Sequence, residues 1–270
     1  MEINTDEIEP VWRYESEENA ITEIISLHLI IWQKGLSICG FSGEGLPLEI
    51  KTFLFRKDWD TETIEQIFIN DPLFAGPEPF THVWLAEQRN ILIPDHFYDV
   101  DYSGEWIRKF HFLENDEIIF TGSMTPFLEA RIIFPVREKL KALLTQYMEE
   151  AKINALSQVA LSEAKPENAS LIELINLPKV ILLSLQHNGK FNLHQVSAYD
   201  NTEDIIYNIA LILQEKDLNQ DEVNIEFSGI APFWNNILEE IPAYFNQMEI
   251  PADTTAVTLN FFKKLYICVS

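Results

Sequence analysis

Between Glu23 and Phe41 the chain runs as two apolar stretches, Glu23 to Ile31 and Leu36 to Phe41, parted by the polar turn Gln33-Lys34-Gly35. Roughly half a chain length later the theme returns. Lys179 to Leu185 is apolar, His187-Asn188-Gly189-Lys190 is polar, and Phe191 to Val196 leads back. Asn-Gly is a strong hairpin-turn signal because both residues accept positive φ. A chain that sets out two apolar hairpins must cover sheet faces twice, and mixed sheets flanked by helices do so.

The segments after each hairpin support that reading. In the first half a third strand is expected over Leu48 to Phe55. A helix follows over Thr61 to Ile69, with Thr61 as N-cap and Ile64, Ile67 and Phe68 on one face. Thr81 to Ala86 reads as a strand and Ile91 to Pro94 as an apolar stop, and Asp95 opens a short helix. Strands are expected at Asp116 to Thr121 and Leu128 to Phe134, then a helix from Pro135 to near Glu150. Ile153 to Leu161 reads as a strand, Lys165 to Ala169 as a turn, and Ser170 as the start of a short helix ending near Pro178.

In the second half Thr202 caps a helix to near Lys216, with Ile205, Ile206, Ile209 and Leu213 on one side. Glu222 to Phe227 reads as a strand, Ser228-Gly229 as a turn and Ala231 to Glu240 as a helix. Val257 to Phe261 and Leu265 to Val269 read as closing strands. The expected organisation is a partly ordered acidic tail over 1–20 anchored by Trp12 and Tyr14, a first half over 21–177 and a second over 178–270.

Charge narrows the partners. Nineteen Lys and Arg stand against 43 Asp and Glu, a net charge of -24, which repels phosphate backbones and anionic headgroups. Nucleic acid and membrane surfaces are therefore not expected as partners, whereas a protein with a basic surface is, and self-association stays open. Cys39 and Cys268 lie in apolar runs with no C-x-x-C pair. Two buried thiols in a reducing compartment are preferred to a disulfide. No basic n-region with an apolar stretch opens the chain, and the apolar runs are far short of a bilayer span, so the cytoplasm is the expected location.

Hairpin, third strand, helix and strand, occurring twice, resemble the ribonuclease-H-like repeat of the actin-like ATPase fold. Ile31-Trp32-Gln33-Lys34-Gly35-Leu36-Ser37-Ile38-Cys39-Gly40-Phe41 lies over the phosphate hairpin of actins. The chain from Ile24 to Phe245 also resembles an uncharacterised bacterial family, domain of unknown function 3822, to which an actin-like fold is ascribed. That likeness rests on Leu92-Ile93-Pro94 with Phe97, on Thr202-Glu203-Asp204-Ile205-Ile206-Tyr207, and on Phe227-Ser228-Gly229.

The resemblance implies a test of chemistry. Actin-like ATPases carry an Asp at the end of the first hairpin strand in each half. These carboxylates position Mg²⁺ for phosphoryl transfer. Here the first position aligns with Ile31 and the second with Leu185 or Gln186. The turns carry one Gly each, Gly35 beside bulky Trp32 and Gly189, and Ser228-Gly229-Ile230 supplies one Gly where the adenosine motif has two. All three positions depart from the pattern, which argues against ATP hydrolysis and leaves no catalytic residue to name. ATP binding without hydrolysis stays open, with Lys34, Gly35, Asn188, Gly189, Lys190, Ser228 and Gly229 as candidate cleft residues. A cleft filled by side chains is equally open. Exposed turn lysines are the favoured reading of Lys34 and Lys190.

No P-loop, nucleophile elbow or H-E-x-x-H helix occurs. Asp95-His96 with Asp99 and Asp101 is the densest set of metal-ligand types, and a solvated helix start is preferred to a metal site there. A two-metal nuclease is opposed by the apolar first strands and by the charge. The expectation is a non-catalytic, protein-binding pseudo-ATPase. The alternative is a divergent nucleotide switch or ATPase in which Asp200 or Asp204 replaces the missing carboxylates.

Overall fold

The structure, a computed structural model, describes residues 8–17, 23–76, 79–122, 128–162, 170–230, 233–245 and 251–268. Its elements run β1 (Trp12–Glu15), β2 (Ser26–Trp32), β3 (Gly35–Phe41), β4 (Pro47–Leu54), α1 (Thr61–Asn70), α2 (Pro72–Ala75), β5 (Phe80–Ala86) and β6 (Ile91–Pro94). Next come α3 (Ser103–Arg108), β7 (Glu117–Thr121), β8 (Ala130–Arg137), α4 (Glu138–Tyr147), β9 (Lys152–Ala155) and α5 (Ser157–Ala160). The remainder is β10 (Ser170–Leu177), β11 (Val180–His187), β12 (Lys190–Ala198), α6 (Thr202–Glu215), β13 (Val223–Gly229), α7 (Asn235–Glu240) and α8 (Thr254–Ile267).

Two sheets share a four-strand arrangement. The first has the order β1-β4-β3-β2-β5-β9 and the second β12-β11-β10-β13. In each, a strand pairs antiparallel with its hairpin partner on one side and parallel with a later strand on the other: β2 with β3 and β5, β10 with β11 and β13. The four strands of the second sheet therefore repeat β4-β3-β2-β5 of the first, with β10 in the place of β2, and β1 and β9 extend the first sheet at its edges. Both strands are buried along their whole length. Strands covered on two faces read as continuous apolar runs rather than alternating ones.

The side chains form three main layers. One face of the first sheet, through Leu27, Leu29, Ile31 and Val83, packs with α1, α4 and the sheet β6-β8-β7. The other face, through Ile30, Trp32, Cys39 and Trp84, meets Ile175, Leu177, Val180 and Leu182 of the second sheet together with Phe261, Phe262 and Leu265 of α8. The far face of the second sheet is closed by α6 and α7 through Ile205, Ile209, Ile212 and Ile237. Among the described residues no helix is long and apolar enough to cross a membrane.

Several expectations are corrected. Ser170 begins a strand, not a helix, because Ile172 and Leu174 are needed on one sheet face and Ile175 and Leu177 on the other. Val257 to Phe261 and, as far as the described residues run, Leu265 to Cys268 are not strands. Asp253 caps α8 through Thr255 N, and Thr258, Phe261, Phe262 and Leu265 form its buried helical stripe. The strand expected over Ile153 to Leu161 ends at Ala155 and gives way to α5. Pro135 lies inside β8 and the helix begins at Glu138. It sits beyond Ile133, the last residue of β8 paired with β6, where the strand is paired on one side only and proline is tolerated. The caps of α1 and α6 are Asp60 and Asn201 rather than Thr61 and Thr202. The turn expected over Lys165 to Ala169 lies outside the described residues. Trp12 and Tyr14 do anchor the early segment, as part of the edge strand β1 on β4.

Candidate functional site

Because β10 opens the second sheet, the turn that matches Gln33-Lys34 is Pro178-Lys179, between β10 and β11. Counting back from each turn, Trp32 matches Leu177 and Ile31 matches Asn176. The position aligned earlier with Leu185 or Gln186 therefore falls on Asn176. β2 and β10 contain no Asp.

The two turns touch. The Trp32 indole Nε1 donates to the Pro178 carbonyl at 2.9 Å, and Trp32 is fully buried. Around it lie Leu177, Val180, Ile230, Phe261 and Phe262, each no more than 1% exposed. Gly35 makes room for the ring: a Cβ there would stand 2.6 Å from Trp32 Cζ2.

Asn176 is as completely enclosed as Trp32. Its Nδ2 donates to the Phe233 carbonyl at 3.1 Å, and its Oδ1 accepts from the Tyr199 hydroxyl at 2.8 Å. Its own carbonyl accepts from Ile230 N at 2.9 Å. Gly229 crosses directly over it with φ +125, and a Cβ on Gly229 would lie 2.7 Å from Asn176 N. Burial raises the Tyr199 phenol above its usual range, against the opposing hydrogen bonds with Lys179 and Asn176.

The other candidate residues separate into groups. Lys34 is ion-paired with Asp58, and its hydrogen bond holds the Asp58 carboxyl below the usual range. Ser228 and Gly229 lie at the same end of the second sheet as Pro178, paired with Ile175 and Asn176. Asn188, Gly189 and Lys190 do not join them. They form the β11–β12 turn, with Asn188 at φ 52 and Gly189 at φ 68. The length of β11, about 26 Å for its eight residues, separates them from Pro178.

Two polar cavities flank this region. Beside Ser228, about 250 Å³ is lined by Glu173, Glu226, Phe227, Asn260 and Lys264 among others. Glu173 and Glu226 sit side by side on β10 and β13, and Lys264 pairs with Glu173 at 2.6 Å. Past the ends of β2 and β5, about 210 Å³ is lined by Gln33, Asp58, Trp59, Glu87, Gln88, Arg89, Glu114 and Arg137. Arg89 is held there by Glu117 at 2.6 Å and Glu87 at 3.1 Å.

Neither Asp204 nor Asp200, the candidate replacements for the missing Asp residues, lines either of these two cavities. Asp204 closes a capping box on α6, accepting from Asp200 N at 2.8 Å and from Asn201 N at 3.3 Å. Asp200 is exposed, with Lys179 Nζ donating to its carbonyl at 2.8 Å. In the Asp95 cluster, Asp95 pairs with Arg131 at 2.6 Å and Asp99 accepts from Asp101 N at 3.0 Å. Among the described residues no group of three or more His, Cys, Asp or Glu is placed to hold a metal ion.

Pro178, Asn176 and Tyr199 were not singled out from the sequence. Their signal was Asn176-Leu177-Pro178-Lys179 itself, a polar break inside an apolar run and a turn signal weaker than Asn-Gly.

The model of a family described as a protein of unknown function, DUF3822, matches residues 17–248. Among solved structures the chain is similar to a Bacteroides thetaiotaomicron VPI-5482 protein with actin-like ATPase fold and unknown function. Identity is 15%, 94% of this chain and 99% of that chain are covered, and the TM-score is 0.74. The fold is accordingly actin-like. Looser likenesses are the PilM-PilN type IV pilus biogenesis complex, at 11% identity over 91% and 98% with a TM-score of 0.49, and the ethanolamine utilization protein EutJ from Carboxydothermus hydrogenoformans, at 13% over 91% and 93% with a TM-score of 0.49. No curated protein matches the chain.

Proposed function

The chain belongs to the DUF3822 family, and from that premise we propose that it is a non-catalytic actin-like protein, a pseudo-ATPase that works by binding a protein partner. The contact between Trp32 and Pro178 carries the proposal. An indole spans the gap between the two hairpin turns, where the fold's ATPases hold phosphates.

The surrounding residues support it. Phosphoryl transfer needs a cation clamp and donors aimed at the phosphate oxygens. Here the places of the two carboxylates hold Ile31 and Asn176. The amide of Asn176 is already bonded to Phe233 and Tyr199. The cavity beside Ser228 presents Glu173 and Glu226, which repel a polyphosphate. These residues do not fit Mg-ATP. In this reading Lys34, Gly35, Ser228 and Gly229 seal the meeting of the halves, and Asn188, Gly189 and Lys190 form a remote surface turn. We further propose a reducing, cytoplasmic setting, in keeping with the fully buried thiol of Cys39.

Thermal and chemical unfolding with millimolar Mg-ATP, Mg-GTP and their diphosphates tests the proposal. A ligand at 100 times its dissociation constant adds about 2.7 kcal/mol. The expected result is no shift with any of the four. A nucleotide-selective stabilisation would sink the pseudo-ATPase reading and restore the nucleotide switch.

A further inference from the structure

The strand β5 and the helix α4, which leads into β9 beside β5, are separated by an inserted unit: β6, α3, β7 and β8. One face of its sheet joins the main core through Ile132, Phe134 and Val136. Ile93, Ile107 and Ile133, on the other face, form a small core of their own, against which Tyr98, Trp106 and Leu113 pack. The segment 95–114 thus lies as a cover over this second face.

Its outer surface is unusually apolar. Phe97, Val100, Tyr102, Phe110 and Phe112 are 62%, 67%, 54%, 67% and 78% exposed. The other large exposed apolar side chains are scattered over the described residues, so this concentration within one short segment is not the ordinary apolar background of a surface. These side chains are not left out by loose packing. Ile107 is fully buried beneath them, Arg89 Nη1 donates to the Phe112 carbonyl at 3.3 Å, and Glu114 N donates to Glu117 Oε2 at 2.8 Å. Aromatics held outward on a fixed scaffold lose little side-chain entropy on binding, which suits them as anchors.

The charges around the patch indicate what it meets. Asp99, Asp101, Glu105, Glu114 and Asp116 are exposed along the same segment, against Arg108 and Lys109. Lys109 is drawn onto the Trp106 ring, 4.5 Å from its centroid. An apolar centre with an acidic rim complements a segment that is apolar on one side and basic on the other. A second copy of this chain brings the same acidic rim and the same net charge of -24, which opposes self-docking here.

We infer that the outer face of the inserted unit, centred on Phe110 and Phe112, docks a basic amphipathic segment of a protein partner. The inference rests on the protein-binding reading above and gives it a surface and a partner chemistry.

The test uses the full chain and two fluorescent synthetic peptides, an amphipathic one of leucine and lysine and its counterpart with glutamate at every lysine position. Anisotropy titrations are run on the wild type, on Phe110→Ser/Phe112→Ser, and on Tyr207→Ser, an equally exposed aromatic on α6. The lysine peptide is expected to bind saturably at one per chain and to weaken about tenfold or more in the double variant. Tyr207→Ser should match the wild type, and the glutamate peptide should not bind. Circular dichroism and the unfolding midpoint confirm that the double variant is folded. Equal binding by the double variant, equal loss in Tyr207→Ser, or binding of the glutamate peptide would each overturn the assignment. So would a dimer in sedimentation that Phe110→Ser/Phe112→Ser dissolves, since the occupant would then be a second copy. If the peptide result is negative and nucleotides still give no shift, this surface is wrong and the pseudo-ATPase reading stands. A nucleotide shift removes that reading whatever the peptides do.

Discussion

The indole of Trp32 and the carbonyl of Pro178, 146 positions apart in the chain, meet at 2.9 Å in a fully buried contact that joins the hairpin turns of the two halves. Phe in place of Trp32 keeps an aromatic ring but strands a buried carbonyl without its donor. That costs about 1–3 kcal/mol. Trp32→Ala also opens a cavity and should cost about 3–5 kcal/mol. Urea unfolding is expected to rank wild type, Trp32→Phe and Trp32→Ala in falling order of stability. A neutral Trp32→Phe would mean that the carbonyl finds another donor and that the ring, not its N–H, joins the turns.

Asn176 permits a sharper test, because Asn176→Asp is nearly isosteric and puts an acid where the fold's ATPases have one. The new carboxylate would be buried and would face the Phe233 carbonyl, the acceptor now served by Nδ2. Burial and that acceptor both favour the protonated acid, so the folded-state pKa is raised above the unfolded value. The sign follows from linkage: the penalty is absent below the unfolded pKa and grows as pH rises above it. At neutral pH an unpaired buried charge costs about 3–5 kcal/mol. Asn176→Asp should therefore fall well below wild type at pH 7 and approach it near pH 4, each compared at the same pH. A constant deficit would show that geometry rather than charge is at fault.

Gly229 supplies a charge-free probe of the same place. With φ +125 and the Asn176 backbone beneath it, any Cβ is strained twice. Gly229→Ala should lose more than about 1 kcal/mol. A Gly229→Ala protein with wild-type stability would mean that β10 and β13 separate easily at this end.

How much of this was legible beforehand depends on burial. The strands β2 to β5 read as apolar runs set apart by polar turns, the helices α1 and α6 showed clear periods, and the doubled architecture followed from them. The strand β10 was missed, because Ile172, Leu174, Ile175 and Leu177 serve two faces and produce a run that a buried helix would also show. Losing that one strand moved the second hairpin to Asn188-Gly189, a true turn between the wrong pair of strands. The end of the chain failed for a related reason. Val257 to Phe261 is rich in strand-forming types, while the Asp253 cap and the spacing of Thr258, Phe261, Phe262 and Leu265 were the better signal. The absence of Asp from β2 was visible directly, whereas in the second half the run Lys179 to Leu185 stood in for β10. The pairing of Trp32 with Pro178 was not, since nothing local in a sequence reports a contact between its halves.

Arg89 ties the inserted unit to the body. It bonds Glu117 at 2.6 Å, Glu87 at 3.1 Å and the Phe112 carbonyl at 3.3 Å, and the Glu117 side chain is only 1% exposed. Burial alone would raise the Glu117 carboxyl, yet the hydrogen bonds from Arg89 and from the backbone at Glu114 hold it below the usual range. Arg89→Ala leaves that carboxylate buried and unpaired, a loss of about 3–5 kcal/mol. Amide exchange over 110–117 should accelerate in Arg89→Ala more than exchange in the second sheet. Uniform acceleration would show that the insert and the body unfold as one unit.

His28 and His82 lie side by side on β2 and β5 with ring centroids 5.0 Å apart, and neither Nδ1 has a hydrogen-bond partner. Burial, and then the charge on His82, lowers His28 to about 3. Burial, and then Lys152, lowers His82 to about 4. Unfolded, both titrate near 6.5. Depressed folded values mean that the neutral rings are favoured in the native state. The stability they permit is complete above about pH 6.5 and drains away as pH falls toward the folded values. Between pH 6.5 and pH 5 each ring is expected to remove about 2 kcal/mol. His28→Phe takes out one titrating ring and one unsatisfied nitrogen, and Phe41 at 4.7 Å is an apolar neighbour for the new side chain. Denaturant midpoints measured from pH 8 to pH 5 should fall steeply in the wild type and about two-thirds as steeply in His28→Phe, because His194, lowered by burial to about 4, contributes in the same window in both proteins. Parallel curves for the two proteins would show that the acid sensitivity arises elsewhere.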